Sequence, residues 1–396
     1  MKVGWHKKQL AAVTKKITDG SHNPPKGVAD SEYLMLSSKN VFDDDFHYED
    51  PRYLSQEQFL QEDKRTGIEP GDVLLTIVGT IGRCAVVPID APKITLQRSV
   101  AVIRPDRAIV EPRFMMYSFI ERNEELNEQA RGVAQKGIYL EALRDLEIVL
   151  PPLSEQQRIV GILDEAFDGI ATAKANAEQN LQNARALFES HLQSVFSQRG
   201  EGWETKELGD MCEVKDGTHD SPKYVQEGIP FVTQKNVREE GLSFSNTKFI
   251  SDEDHAKFYK RSNVARGDIL ISMIGANRGM ACLVDDERVF SIKNVGLVKE
   301  NSSVNQRLLL YFLKSSQAAE YVSSKSKGGA QEFIGLTELR KFPVAIPELS
   351  EQGALVAKLD ALSEETQRLE SLYQRKLAAL NELKKSLLHQ AFSGAL

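Results

Sequence analysis

A long helical segment occurs twice in this chain, each time after a stretch of mixed character, and that duplication limits the available folds more than any other feature. Leu153 to Gln198 is echoed at Leu349 to Leu396 with an offset of 196. Pro151, Leu153, Ser154, Glu155 and Gln156 answer to Pro347, Leu349, Ser350, Glu351 and Gln352. Leu163-Asp164 answers to Leu359-Asp360, and Ser190, Leu192, Phe196 and Ser197 answer to Ser386, Leu388, Phe392 and Ser393.

The preceding stretches repeat as well. Gly4-Trp5, Lys8 and Leu10 match Gly202-Trp203, Lys206 and Leu208, and Asp19-Gly20-Ser21-His22 matches Asp216-Gly217-Thr218-His219. Lys39-Asn40-Val41 matches Lys235-Asn236-Val237, Gly71-Asp72-Val73-Leu74 matches Gly267-Asp268-Ile269-Leu270, and Gly132, Ala134 and Gln135 match Gly328, Ala330 and Gln331. Offsets confined to 194–198 over the whole length mean tandem duplication.

Each copy has one rhythm. Turn-rich loops such as Asp19 to Pro25 come first. Short β-branched runs follow at Asp72 to Val78 and Val100 to Ile103, with partners at Asp268 to Ile274 and Val295 to Val298. Helices are expected over Pro112 to Asn127 and Gln306 to Val322, then a strand at Leu146 to Leu150 or Phe342 to Ile346. This is an α+β unit with a mixed or antiparallel sheet.

The long segments, Ser154 to Ser197 and Ser350 to Ser393, are each 44 residues, enough for about 66 Å of helix. Ser154 with Gln157 reads as a capping box, whose second copy has Gly353 in place of the glutamine. Apolar steps of three and four run through Leu355, Leu359, Leu362, Thr366, Leu369, Tyr373, Leu377, Leu380, Leu383 and Leu387. The first copy offers Ile170, Ala173, Ala177, Leu181, Ala184, Phe188, Leu192 and Val195. Such seams predict a coiled coil. Helices that leave successive units and bundle together run antiparallel if the units sit at opposite ends, giving a dumbbell with a pseudo-twofold axis. The expected boundaries are 1–152, 153–199, 200–348 and 349–396.

A chain of 396 residues exceeds what one core usually serves. No apolar run approaches the roughly 20 residues of a membrane span, and the N-terminus has no signal-peptide core. Cys84, Cys212 and Cys282 are few, odd in number and far apart, which predicts buried thiols in a reducing, cytoplasmic setting. Residues 1–150 hold 20 Lys+Arg against 23 Asp+Glu, and residues 201–347 hold 20 against 21. A nucleic-acid surface on such units requires charge to be segregated between faces.

Catalytic patterns are missing. Gly79-Thr80-Ile81-Gly82-Arg83 lacks the spacing and lysine of a phosphate-cradling loop, and no Gly-x-Gly-x-x-Gly turn follows a strand. The seven histidines form no metal-ligand spacing. Asn23-Pro24-Pro25 is followed by Lys26 where adenine methyltransferases carry an aromatic, so it reads as a turn. Glu62-Asp63-Lys64 lacks a partnering acid on a strand and reads as a solvated face.

What remains are side chains suited to reading nucleic acid, at equivalent places beside glycines: arginine for guanine, asparagine or glutamine for adenine, lysine for phosphate. The first unit offers Lys39, Asn40, Thr80, Arg83, Gln97, Arg98, Gln135 and Lys136. The second offers Lys235, Asn236, Asn277, Arg278, Lys293, Asn294, Lys327 and Gln331. His22 and His219 either structure their loop or touch a base. Gln97-Arg98 against Lys293-Asn294 suggests one scaffold reading different letters.

Taken together, Gly-Trp-x-x-Lys-x-Leu, Asp-Gly-Thr-His, Gln234-Lys235-Asn236-Val237 and Pro-Pro-Leu-Ser-Glu-Gln-Gln-Arg resemble the specificity subunit of type I restriction-modification systems, over the full length. The resemblance implies two target recognition domains, 1–152 and 200–348, each reading one half of a bipartite, asymmetric site in double-stranded DNA. It implies that the helices at 153–199 and 349–396 pair, space the domains and dock two modification (methyltransferase) subunits, which restriction subunits then join. It further implies a non-catalytic chain without cofactors of its own. S-adenosylmethionine, ATP and Mg²⁺ would belong to the partners, with methylation at adenine N6.

Overall fold

The computed structural model describes residues 4–130, 136–200, 202–327 and 332–396. It divides into two units: Met1–Ala177 with Arg375–Leu396, and Glu178–Gln374. Among the described residues no helix is long and apolar enough to cross a membrane.

The centre of the first unit is an antiparallel sheet in the order Thr14–Asp19, Val100–Pro105, Val73–Thr76, Cys84–Val86. Its middle strands are buried on both faces, and side chains divide between two cores with the period of two that a strand imposes. Val73, Leu75, Ala101 and Ile103 enter the core beside the long helices, whereas Leu74, Val100 and Val102 enter a second core. That second core is shared with a mixed sheet of Arg52–Leu54, Tyr33–Leu36 and Lys93–Leu96, whose last two strands run parallel. His6–Gln9 pairs antiparallel with Glu147–Leu150 and brings the start of the unit to the base of the central helix.

The central helix, Leu153–Gln198, and the terminal helix, Leu349–Ser393, both contribute to this unit. Ile159, Val160 and Leu163 from the first, with Leu388 and Ala391 from the second, complete the core around Phe114, Tyr117 and Phe119. Arg158 donates to the Leu396 carbonyl at 3.0 Å, and Lys384 lies 4.9 Å from the Phe167 ring centroid. As one number rises the other falls, so the helices run antiparallel here.

The second unit repeats the plan. Val214–Asp216, Val295–Val298, Ile269–Ser272 and Ala281–Leu283 form the antiparallel sheet, and Lys248–Ile250, Ile229–Val232 and Ser291–Ile292 the mixed one. Leu192 and Phe196 of the central helix and Val356 and Leu359 of the terminal helix close a core around Leu308, Leu309 and Phe312. Arg185 meets Glu370 at 2.9 Å. The pairing is again antiparallel.

A polar clamp fastens each set of sheets to its helix. In the first unit Arg113 reaches Asp164 of the central helix and, bidentately, Asp44, while the Tyr117 hydroxyl donates to Asp164 at 2.6 Å. In the second, Arg307 and Tyr311 converge on Asp360 at 2.7 and 2.5 Å. Burial first, and the bond to Asp360 second, push the Tyr311 hydroxyl up to about 12. Gln156 and Gln352, the glutamines of the repeated Leu-Ser-Glu-Gln motif, are buried. Each accepts a backbone N–H, from Glu111 at 2.9 Å and Asn305 at 2.7 Å, and donates to the carbonyl of Pro151 or Pro347.

Several sequence expectations are corrected. The capping box at Ser154 is not what starts the central helix, because the helix begins at Leu153 and the Pro152 carbonyl accepts from Glu155 and Gln156. The segment expected as one helix over Pro112 to Asn127 breaks at Arg122 into Pro112–Glu121 and Asn123–Gln129. Its counterpart breaks into Gln306–Leu313 and Ser316–Lys325, because the Ser315 hydroxyl caps a new N-terminus. In the seam, Ile170, Ala177, Ala184, Leu192, Leu359 and Thr366 are buried, but Leu383 is 47% exposed. The three cysteines are buried and free, and burial raises the thiols, Cys282 to about 12.

Candidate nucleic-acid interface

In both units the Asp-Gly-Ser/Thr-His loop lies against the turn that leaves the mixed sheet. A Cβ on Gly20 would stand 2.1 Å from the Leu96 carbonyl oxygen, and on Gly217 2.3 Å from that of Ile292, so only glycine permits the approach. Ser21 then bridges to Gln97, and Thr218 to Lys293. The aspartate is buried and anchors two further groups. Asp19 takes the Arg65 guanidinium and, at 2.8 Å, His22 Nε2. Asp216 takes Arg261 Nε at 2.9 Å and His219 Nε2 at 3.1 Å.

The Lys-Asn-Val motif holds a turn of its own. Asn40 is 1% exposed; its Oδ1 accepts from the Ser37 backbone at 3.0 Å, and its Nδ2 donates to the His47 and Glu49 carbonyls at 3.0 and 3.2 Å. Asn236 is likewise buried, accepting from the Thr233 backbone at 2.9 Å and donating to the Ser243 carbonyl at 2.9 Å and Thr247 Oγ1 at 3.1 Å. A buried amide must satisfy its hydrogen bonds internally. Both asparagines are therefore keystones of a turn, their amide groups engaged within the protein, and Asn236 also borders the cleft of its unit.

The turn that leaves the mixed sheet and the Lys-Asn-Val motif both contribute to a cleft in each unit. That of the second unit encloses about 550 Å³, and its lining includes Lys235, Arg238, Lys248 and Lys293 with no aspartate or glutamate. Tyr224 and Phe231 supply aromatic surface, and Lys248 Nζ sits 4.2 Å from the Tyr224 ring centroid. That of the first unit encloses about 330 Å³, and Lys26, Lys39, Arg52 and Gln97 join Val28, Met35, Pro51 and Tyr53 around it, again without a carboxylate. The chain carries a formal net charge of −7, so two carboxylate-free clefts at matching places require segregation of charge.

The other predicted residues divide. Gln97, Lys39, Lys235, Lys293 and Asn294 line the clefts. Lys39 is neutralised by Asp50 at 2.5 Å, while the Lys235 side chain makes no hydrogen bond or ion pair among the described residues. Arg98 is exposed on the turn beside Gln97. Thr80 and Lys136 are exposed on a second edge, where Val78 bridges to Gly137; Asn277 and Lys327 are exposed on its counterpart, where Ile274 bridges to Phe333. Arg83 is not in the cleft: its guanidinium covers Phe42 at 4.7 Å. Arg278 is engaged within its own edge, paired with Glu332 and donating to Ser326 Oγ at 2.9 Å. Gln135 and Gln331 lie outside the described residues.

Sequence reading missed Arg52, Arg65, Tyr224, Lys248 and Arg261. The repeat carried a signal for four of them, because Arg52 pairs with Lys248 and Arg65 with Arg261 at the offset of 196. The Asn23-Pro24-Pro25 turn is a loop held by Arg52, whose Nη1 donates to the Pro25 carbonyl at 2.5 Å.

The family model described as type I restriction modification DNA specificity domain matches residues 32–183 and again 200–377. The chain belongs to that family. As a specificity subunit of the type I restriction-modification class it carries two tandem recognition domains. Among curated members, the type I restriction enzyme EcoBI specificity subunit of Escherichia coli is 22% identical over 311 residues, covering 72% of this chain and 65% of that one. The MjaVIII specificity subunit of Methanocaldococcus jannaschii is 21% identical over 318 residues, covering 76% and 73%. The fold is that of solved members. A chain from a study of complex assembly and conformational transition of the type I R-M system aligns with a TM-score of 0.77 at 20% identity, covering 100% of this chain and 99% of that one. The HsdS subunit from Thermoanaerobacter tengcongensis aligns with a TM-score of 0.63 at 20% identity, covering 100% and 98%.

Proposed function

We infer that this specificity subunit reads a bipartite, asymmetric site in double-stranded DNA, one half-site per unit, and supplies no chemistry itself. The observation that carries the reading is the pair of lysine- and arginine-lined clefts at equivalent places in the two repeats. Cations in such a groove attract phosphates, and the amides and guanidinium beside them suit base edges. Gln97, Arg98, Lys293 and Asn294 are the leading base-reading candidates, Lys235 and Lys248 act on the backbone with a smaller contribution from Lys39, which is paired with Asp50, and Thr80, Lys136, Asn277 and Lys327 form a secondary edge. The paired long helices set the distance between half-sites and offer their exposed faces to two modification subunits, to which restriction subunits add. S-adenosylmethionine, ATP and Mg²⁺ belong to those partners, and the complex methylates adenine N6 in the cytoplasm.

The test is to sequence methylated bases in DNA from cells expressing the chain with modification subunits. A motif of two specific blocks around a fixed gap is expected. Deleting seven residues from each long helix removes about 10 Å of helix, so the gap should shorten by roughly three base pairs. A single undivided motif, or a gap indifferent to the deletion, contradicts the reading.

A further inference from the structure

In the second unit the imidazole of His219 stands between two oxygen atoms. Nε2 is 3.1 Å from Asp216 Oδ2, and Nδ1 is 2.6 Å from Asn294 Oδ1. Asp216 is buried and bound to Arg261, so it acts as an acceptor and Nε2 carries a proton. The second proton of the ring then decides how the amide of Asn294 faces. An imidazolium donates to Oδ1 and leaves Nδ2 turned away from the ring. A neutral ring offers a lone pair at Nδ1, so the amide turns over, donates inward through Nδ2 and presents Oδ1 outward. Little else of Asn294 can move. Its φ is 53°, and its N–H donates to the Thr218 carbonyl at 3.2 Å.

We propose that Asn294 determines one base of the second unit's half-site, and that His219 is the positioning residue that sets which edge of its amide is presented. The proposal rests on the DNA reading above. With Nδ2 outward, Asn294 selects a base edge that accepts, as guanine and thymine do. With Oδ1 outward, it selects an exocyclic amine, as on adenine or cytosine. Among the described residues, the other charged or titratable groups around the loop include the Asp220–Lys257 pair, from the loop and from the Asp252–Ser262 helix, His255 of the same helix, whose Nδ1 is 2.9 Å from Ser291 Oγ, and Lys293 on the turn, which donates to Ser221 Oγ at 2.6 Å.

The first unit is the internal control. His22 has Asp19 and Arg65 as neighbours, but its turn carries Arg98, whose guanidinium presents donors whatever the ring's state. Its half-site should ignore the protonation of the histidine.

The experiment is selection of randomised duplexes by the purified full chain at about pH 5.5 and about pH 8.5. One base column in one half-site is expected to change from an accepting base to an amine-bearing one as pH rises, the other half-site holding constant. Asn294→Gly keeps the left-handed backbone and removes the amide, so it should flatten that column by about ten-fold or more. His219→Gln should abolish the pH shift and leave the remaining columns intact. Unchanged columns in Asn294→Gly overturn the assignment, and a shift that survives His219→Gln overturns the role of the histidine. If His219→Gln does not fold, the Asn294→Gly arm and the wild-type pH comparison still decide. A wild-type chain that enriches no sequence at either pH sinks the DNA reading, and this assignment with it.

Discussion

The two clefts occupy the same place in the repeat and are held by the same hydrogen bonds, yet different side chains face into them. Asn40 and Asn236 tie matching turns, and Asp19 and Asp216 each hold an arginine from the following helix and a histidine from their own loop. On that common frame the first unit places Gln97 and Arg98 where the second places Lys293 and Asn294. In the first unit Lys39 is cancelled by Asp50, whereas Lys235, without an ion pair among the described residues, stands over a larger, partly aromatic cleft. Buried polar keystones fix the backbone, which frees the rim to vary without endangering the fold.

The largest expected effect breaks the frame. Asn236→Ala leaves the Thr233 N–H and the Ser243 carbonyl without their partner and should cost about 2–4 kcal/mol in the second unit. Asn40→Ala should cost a similar amount in the first. Hydrogen exchange on the 269–272 and 73–76 strands reads each unit separately. A keystone that proves dispensable in one unit alone would break the equivalence of the frames.

A smaller effect tests the rims. Lys235→Met with Lys248→Met should lower the slope of log affinity for DNA against log salt by about two, at roughly 0.9 for each phosphate no longer neutralised. Lys39→Met should change it far less, because Asp50 already neutralises that lysine. Equal slopes for the two units' variants would remove the contrast. The readout is binding of a labelled duplex over a salt series.

The smallest effect concerns a helix cap. Glu111 caps Pro112–Glu121 by accepting from the Arg113 N–H, and Asn305 does the same for Gln306–Leu313. Burial is the main cause that raises the Glu111 carboxyl above its ordinary range. A raised folded value means the protonated form suits the fold better. Its stabilisation is complete below the unfolded pKa of about 4.3 and is lost as pH rises through the folded value. Glu111→Asn should thus slightly stabilise the first unit at neutral pH and flatten its stability between mildly acidic and neutral pH. Denaturant unfolding at several pH values checks this. A variant less stable at neutral pH would reverse the sign.

Periodicity and duplication made the large elements legible. The long helices, the strands at 73–76 and 269–272 and the antiparallel pairing all follow from patterns that span many residues. Helix ends and breaks were less legible, because Pro152 and Ser315 act through single hydrogen-bonding groups. The site was half legible. Repetition pointed to Lys-Asn-Val and Asp-Gly-Ser/Thr-His, but it marks what the frame needs as strongly as what the rim presents. Asn40 and Asn236 recur with the side chain that suits adenine, and both are buried and hydrogen-bonded within their turns. Tyr224 and Arg238 stayed hidden because chain folding alone brings them to the Lys293 turn.

The central claim is that each cleft reads its own half-site. Its most direct test exchanges residues 201–347 for the matching segment of another family member, with modification subunits present, and maps the methylated motif. One block of the bipartite motif should change while the other block stays as it was. A motif that changes in both blocks, or in neither, contradicts the account.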